Sequence, residues 1–270
     1  MLYIDGAVLD FKQLDRLAEG NTGLHQLDPR AKVAVTLIFI VSVVSFGRYE
    51  ISPLLPFFVY PAVLVALAKI PIGFIARKVL VVLPFAFVVG MFNPLFDRST
   101  LMTIGTLAFS GGMISWLAII IKAILTVSAA LILVATTGFP SICRALEQMG
   151  MPQAFAVQLM FLYRYIFVLT EEGGRASRAR ELRSFGNKGR GVASYGSLIG
   201  HLLLRTWQRA ERIHMAMLAR GFNGEFRTLR SSKFGWSDTA YLVGWVVLFI
   251  VIRLYNIPLI LGSFATGMLP

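Results

Sequence analysis

Between Trp116 and Thr137 the chain carries a single charged residue, Lys122. A run this long and this apolar matches the roughly 20 residues a helix needs to cross a bilayer. Four other runs approach that length: Ala31–Phe46, Ile51–Ala68, Val79–Phe96 and Thr239–Leu261. Across 270 residues, 56% are apolar and only 15% charged, with a mean hydropathy of +0.70. A soluble fold of this size cannot bury that much apolar surface. The expected fold class is therefore an all-α integral membrane protein with about five transmembrane helices.

The runs divide the chain into four parts. Residues 1–30 are a polar lead-in, 31–138 hold the first four spans, 139–238 are polar and basic, and 239–270 hold the last span. Asp28 is placed to cap the first span, with Pro29 at its first helical position. Arg48-Tyr49-Glu50 reads as a short outer turn. Pro53, Pro56 and Pro61 crowd the start of the second span and free carbonyls that a neighbour must cover. Lys69, Arg77 and Lys78 mark the return to the inner side. Pro84 interrupts the third span and Asn93-Pro94 closes it. Asp97–Ser115 is then an outer connection with a short apolar piece that is a candidate to re-enter the membrane. Gly138-Phe139-Pro140 ends the fourth span.

The net charge is +12, and 13 of the 26 lysines and arginines lie between Arg175 and Lys233. Lysine and arginine collect on the cytoplasmic side of membranes, so this stretch is expected there. Parity then decides how to read the apolar run Ala154–Leu169. A fifth crossing at that point would place the most basic segment outside. Ala154–Ser184 is accordingly read as one long helix that starts at the inner membrane surface and runs into water. Ser141–Met149, ahead of it, is a short amphipathic helix ended by Gly150-Met151-Pro152. Gly186, Gly189 and Gly191 form a basic turn. Ala193–Arg220 is a second long helix, with Leu203, Trp207, Ala210, His214 and Met217 recurring on one face and Gly221 at its end.

Both long helices end alike: Leu182-Arg183-Ser184-Phe185 and Ala219-Arg220-Gly221-Phe222. Aligning Arg183 on Arg220 also aligns Arg175 with Arg212. An arginine in the last turn before glycine is an ordinary helix end. A matched pair offers two like attachment points, and the guanidinium fork is suited to pairing with carboxylates in a groove.

Several function classes lose support. The basic stretch lacks interleaved stacking aromatics, which argues against nucleic acid. His25, His201 and His214 do not have metal-site spacing, and Cys143 is the only cysteine. No phosphate-binding loop of the G-x-x-x-x-G-K-[ST] form occurs. None of the five expected spans contains Asp or Glu, which weakens an ion-coupled carrier. Lys122 and Arg253 are expected to snorkel to the interface, and Arg164 to pair with a nearby carboxylate.

At the two arginine motifs the chain resembles the transmembrane T component of energy-coupling-factor (ECF) importers. Leu24-His25-Gln26-Leu27-Asp28-Pro29-Arg30-Ala31-Lys32 is similar to that family's lead into its first helix. Arg164-Tyr165-Ile166 with Glu171-Glu172 resembles the start of its first coupling helix. Ala216-Met217-Leu218-Ala219-Arg220-Gly221-Phe222 resembles its second coupling motif. Leu14-Asp15-Arg16-Leu17-Ala18 looks like the cobalt/nickel branch. The first motif departs from the Ala-Arg-Gly form, so Arg180 and Arg183 both stand as its contact residue.

The resemblance implies a non-catalytic coupling subunit, for cobalt or nickel, in the plasma or inner membrane. Its expected partners are the bilayer, two cytoplasmic ATPases that bind ATP and magnesium, and a small membrane subunit that captures the metal. This chain would bind no cofactor itself. Arg183, Arg220, Leu182, Ser184, Ala219 and Gly221 would carry the ATPase contact, with Arg180, Arg212 and Met217 in support. The alternative is a self-sufficient carrier or channel with a basic regulatory domain. A membrane-embedded enzyme finds no convergent acid, base, nucleophile or metal set.

Overall fold

The computed structural model describes residues 13–96, 100–104, 107–183, 192–222, 224 and 234–255. The chain divides into two units. One comprises Asp15–Gly138 with Ser232–Pro270, and the other Met1–Leu14 with Phe139–Ser231.

The apolar unit is built around α1 (Pro29–Val44). Asp28 starts it as expected: its carboxylate accepts the Arg30 amide at 2.8 Å, and Pro29 follows. The next segment is a 3-10 helix, Ser52–Phe58, that continues into α2 (Val59–Ala68). Proline lacks the amide donor of a regular α-helical turn, which accounts for the tighter winding around Pro53 and Pro56. Lys69 closes α2 in a left-handed conformation, φ 54°, with Pro71 two residues on.

Three expected boundaries are corrected. The third span starts at Ile72, not Val79: α3 runs Ile72–Met91, with Arg77 and Lys78 inside it and Pro84 tolerated within. Arginine and lysine are good helix formers, so nothing between Pro71 and Val79 stops the helix. The outer connection contains no re-entrant helix among its described residues. Thr100–Ile104 (β1) and Leu107–Ser110 (β2) pair as an antiparallel hairpin, and α4 (Gly111–Thr137) begins directly after it. Finally, α8 (Trp236–Leu254) starts ahead of Thr239 and takes in Asp238. A carboxylate therefore lies within this apolar helix, in its first turn, where the helix dipole favours it. The part of the expected last span beyond Tyr255 lies outside the described residues.

The protein is an all-α integral membrane protein whose described strands are confined to this hairpin. In lipid, burying apolar surface gives helices little reason to associate, so packing and interhelical hydrogen bonds must do it. Phe39 supplies the packing. Its ring lies 4.5 Å from Tyr60, 5.4 Å from Phe249 and 5.8 Å from Phe57, centroid to centroid. All four rings are buried. Thr36 Oγ1 and the Tyr60 hydroxyl, 3.0 Å apart, satisfy each other beside them. Gly112 lets α4 approach the Asn93–Pro94 backbone to a distance no Cβ would allow, and Asn93 Nδ2 donates to Ser115 Oγ at 2.9 Å.

The end of α1 explains two cations expected only to snorkel. Lys122 Nζ donates to the Phe46 carbonyl at 2.6 Å. Arg253 stacks on the Phe46 ring at 4.1 Å and reaches Ser45 Oγ at 3.2 Å. Positive charge at a helix C-terminus complements its exposed carbonyls. With carboxylates at its start and cations at its end, α1 has its dipole matched at both ends.

Ahead of α1, His25 bridges the polar lead-in. Its Nε2–H donates to the Leu17 carbonyl at 2.9 Å, and its Nδ1 accepts from the Thr22 hydroxyl at 2.6 Å. Burial lowers its pKa below 6.5. The unfolded chain therefore binds the proton more readily, so stability is lost as pH falls through the lowered folded pKa. The thermal midpoint is expected to drop as pH falls below about 6.5, and His25→Gln to remove that component of the slope. An unchanged slope in the variant would contradict this assignment.

Candidate functional site: two coupling helix ends

The second unit holds α5 (Phe139–Gln148), α6 (Gln153–Arg183) and α7 (Val192–Ala219). A left-handed Gly150, φ 113°, stops α5: the Gly150 amide bonds back to Glu147 and the Met151 amide to Leu146. Phe139 stacks on Tyr163 at 4.9 Å, which holds α5 to α6. Cys143 is buried on α5, and burial pushes its thiol pKa up, away from reactivity. The long helix expected over Ala154–Ser184 is present as α6 and continues through Gly173-Gly174.

Arg183 is the last residue of α6 and is exposed, with Leu182 beside it 81% exposed. Arg180, one turn back, is half-buried. Ser184 and the Gly186–Gly191 turn lie outside the described residues. Arg220 follows the last residue of α7, next to Ala219. There the Gly221 amide bonds to the Leu218 carbonyl and the Phe222 amide to the Met217 carbonyl, both at 3.0 Å. Gly221 has φ 78°. This pair of reversed bonds is the glycine-dependent helix stop, and it leaves Arg220 exposed at the tip. Among the described residues neither Arg183 nor Arg220 has an ion-pair partner. Met217 is half-buried one turn back and Arg212 exposed two turns back.

What joins the two helices is Glu172, which the motif comparison alone does not single out. Its carboxylate accepts from Arg209 at 3.2 Å and lies 4.0 Å from Arg205. Glu172 and Arg209 are 37 residues apart, the same offset that relates Arg183 to Arg220. The two helices thus meet at equivalent positions of the repeat. From that meeting point each arginine is eleven residues on, roughly 16 Å at 1.5 Å per residue. The signal was available in the sequence: applying the offset of the arginines to Glu172 lands on Arg209.

Beside this pair lies an open apolar groove of about 290 Å³, lined by Tyr165, Val168, Leu169, Leu203, Thr206 and Trp207. The expected apolar face of α7 is present and exposed among the described residues of its unit, with Trp207 73% exposed and Leu203 68%. Among the described residues no group of His, Cys, Asp and Glu is arranged to hold a metal ion.

The sequence profile of the family CbiQ, described as cobalt transport protein, matches residues 20–230, which include both arginines and the whole of α6 and α7. The chain belongs to the CbiQ/EcfT family of transmembrane T components. Two relatives show the breadth of the likeness. The energy-coupling factor transporter transmembrane protein EcfT of Listeria innocua is 26% identical over 87% of this chain and 94% of its own. That of Bacillus subtilis is 22% identical over 89% and 97%. A fused cobalt transport protein, CbiMQ, of Methanocorpusculum labreanum is 36% identical over 33% of this chain and 15% of its own. As a CbiQ/EcfT protein the chain is a membrane transport component. Within it, α3, α4, α6 and α8 have the length and composition to cross a bilayer.

Proposed function

We propose that this chain is the non-catalytic coupling subunit of an ATP-driven importer of cobalt or nickel ions. It joins two cytoplasmic ATPases to a separate membrane subunit that captures the metal. The observation that carries this reading is the matched pair of exposed arginines, Arg183 and Arg220, at equal distances from the Glu172–Arg209 tie. Two like motors need two like sockets, and a tie midway lets a push on either tip turn both helices.

In this reading the arginine-bearing ends of α6 and α7 face the cytoplasm. Each guanidinium enters a groove of one ATPase and pairs there with carboxylates or carbonyls. Leu182, Ser184, Ala219 and Gly221 fill the rim of that contact, while Arg180, Arg212 and Met217 hold the helix ends in place. Nucleotide binding and hydrolysis in the ATPases move the tips. The exposed Leu203 and Trp207 then pass the motion to the metal-capturing subunit. The choice of cobalt is supported by the family description and the cobalt transport name of one relative, and nickel by the resemblance of Leu14–Ala18 to the cobalt/nickel branch.

Affinity purification of the tagged chain from its native membrane tests the proposal. Two ATPase copies and a small membrane protein are expected to co-purify, and the reconstituted complex is expected to take up radiolabelled cobalt or nickel only with ATP. Uptake by the chain alone in liposomes would overturn the proposal in favour of a self-sufficient carrier.

A further inference from the structure

The apolar unit gives up the chain after Gly138 and takes it back at Ser232. Both places are held from the first turn of α1. Lys32, 3% exposed, sends Nζ to the Thr136 carbonyl at 3.1 Å, two residues before the chain leaves. It also reaches the His25 carbonyl at 3.4 Å. Asp238, 4% exposed, accepts the Gly235 amide on Oδ2 at 2.8 Å, three residues after the chain returns. Its Oδ1 accepts the Asp28 amide at 2.7 Å. Asp28 and Asp238 supply the opposite charge that Lys32 needs in this buried setting.

We infer that Lys32 and Asp238 form a clamp that ties the apolar unit's side of two of the three peptide connections, those at Gly138 and Ser232, to the start of α1. A displacement that arrives at Gly138 or Gly235 then reaches the packed helices of the apolar unit. The displacement itself rests on the coupling role proposed above. A purely stabilising role explains the arrangement less well. Buried ion clusters add little stability over apolar side chains of the same volume, because desolvation offsets the attraction. What they add is direction: each bond here holds one backbone atom of one connection. Lys32 and Asp238 are positioning residues, acting through α1 on segments they do not all touch.

Amide hydrogen exchange on the full chain in lipid nanodiscs tests the clamp. Lys32→Met, similar in volume, removes the bond at Thr136. Asp238→Asn keeps the shape but loses one of two acceptors, since its amide cannot accept both backbone donors. Each variant is expected to speed exchange at least tenfold at the connection it does not touch: Gly235 for Lys32→Met and Gly138 for Asp238→Asn. Acceleration confined to the touched connection would overturn the clamp. If Lys32→Met fails to fold, Asp238→Asn alone decides by the same criterion. In the assembled importer, both variants are expected to retain ATPase binding and hydrolysis while ATP consumed per imported ion rises at least tenfold. An unchanged ratio would overturn the transmission role. Failure of ATPases to bind the unmodified chain would reject the coupling role itself, and the exchange result separates the two.

Discussion

Arg183→Glu combined with Arg220→Glu is expected to abolish ATPase association and to cut uptake at least about a hundredfold, with the chain still folded. Both side chains are exposed at helix ends, and neither is paired among the described residues, so reversing them breaks no ion pair among those residues. Removing one partner of a desolvated charge pair typically costs about 2–5 kcal/mol, and each 1.4 kcal/mol is a factor of about ten in affinity. Reversal adds repulsion to that loss. Arg178→Glu, an exposed site on α6 with the charge change of either single reversal, serves as the control and is expected to leave association unchanged. Arg→Lys at 183 and 220 is expected to give a partial loss, since an ammonium keeps the charge but not the two-pronged geometry. Wild-type association in the double reversal would remove the arginine tips from the account.

Phe39→Ala carries the largest expected effect on folding, about 3–5 kcal/mol. Its ring is fully buried among Tyr60, Phe57 and Phe249, on three separate elements. Truncation leaves a cavity where α1, α2 and α8 meet, and lipid cannot enter to fill it. Phe85→Ala is the contrasting case. Phe85 is 73% exposed on α3, facing the surroundings, and its loss is expected to stay within about 0.5 kcal/mol. Denaturant titration of both variants in the same micelles checks the difference, and equal destabilisation would contradict the packing described.

The pattern of legible and illegible features has a physical cause. Caps and stops are local, so Asp28, Pro29, Gly150 and Gly221 announced their helix ends in sequence. The long apolar runs of α4 and α8 needed only composition. The start of α3 was hidden because Arg77 and Lys78 look like a boundary, yet long cationic side chains can lie along a helix and reach outward. The hairpin at Thr100–Ser110 was hidden because a short apolar piece has no period long enough to separate strand from helix. Lys32 and Asp238 were illegible for another reason. Their partners are Thr136 and Asp28, far off in the chain, and a buried charge is recognisable only once those partners are in place. Of the coupling site, the tips were legible as a repeat, whereas the Glu172–Arg209 tie required carrying the same offset inward.

The central claim is that Arg183 and Arg220 present themselves to the same cytoplasmic compartment. Single Arg183→Cys and Arg220→Cys variants, each in a Cys143→Ser background, reacted with a membrane-impermeant maleimide test it directly. Both are expected to label in inside-out vesicles and not in right-side-out ones, with co-expressed ATPases blocking both. Labelling of the two positions from opposite faces, or of either from the outer face, would contradict the account.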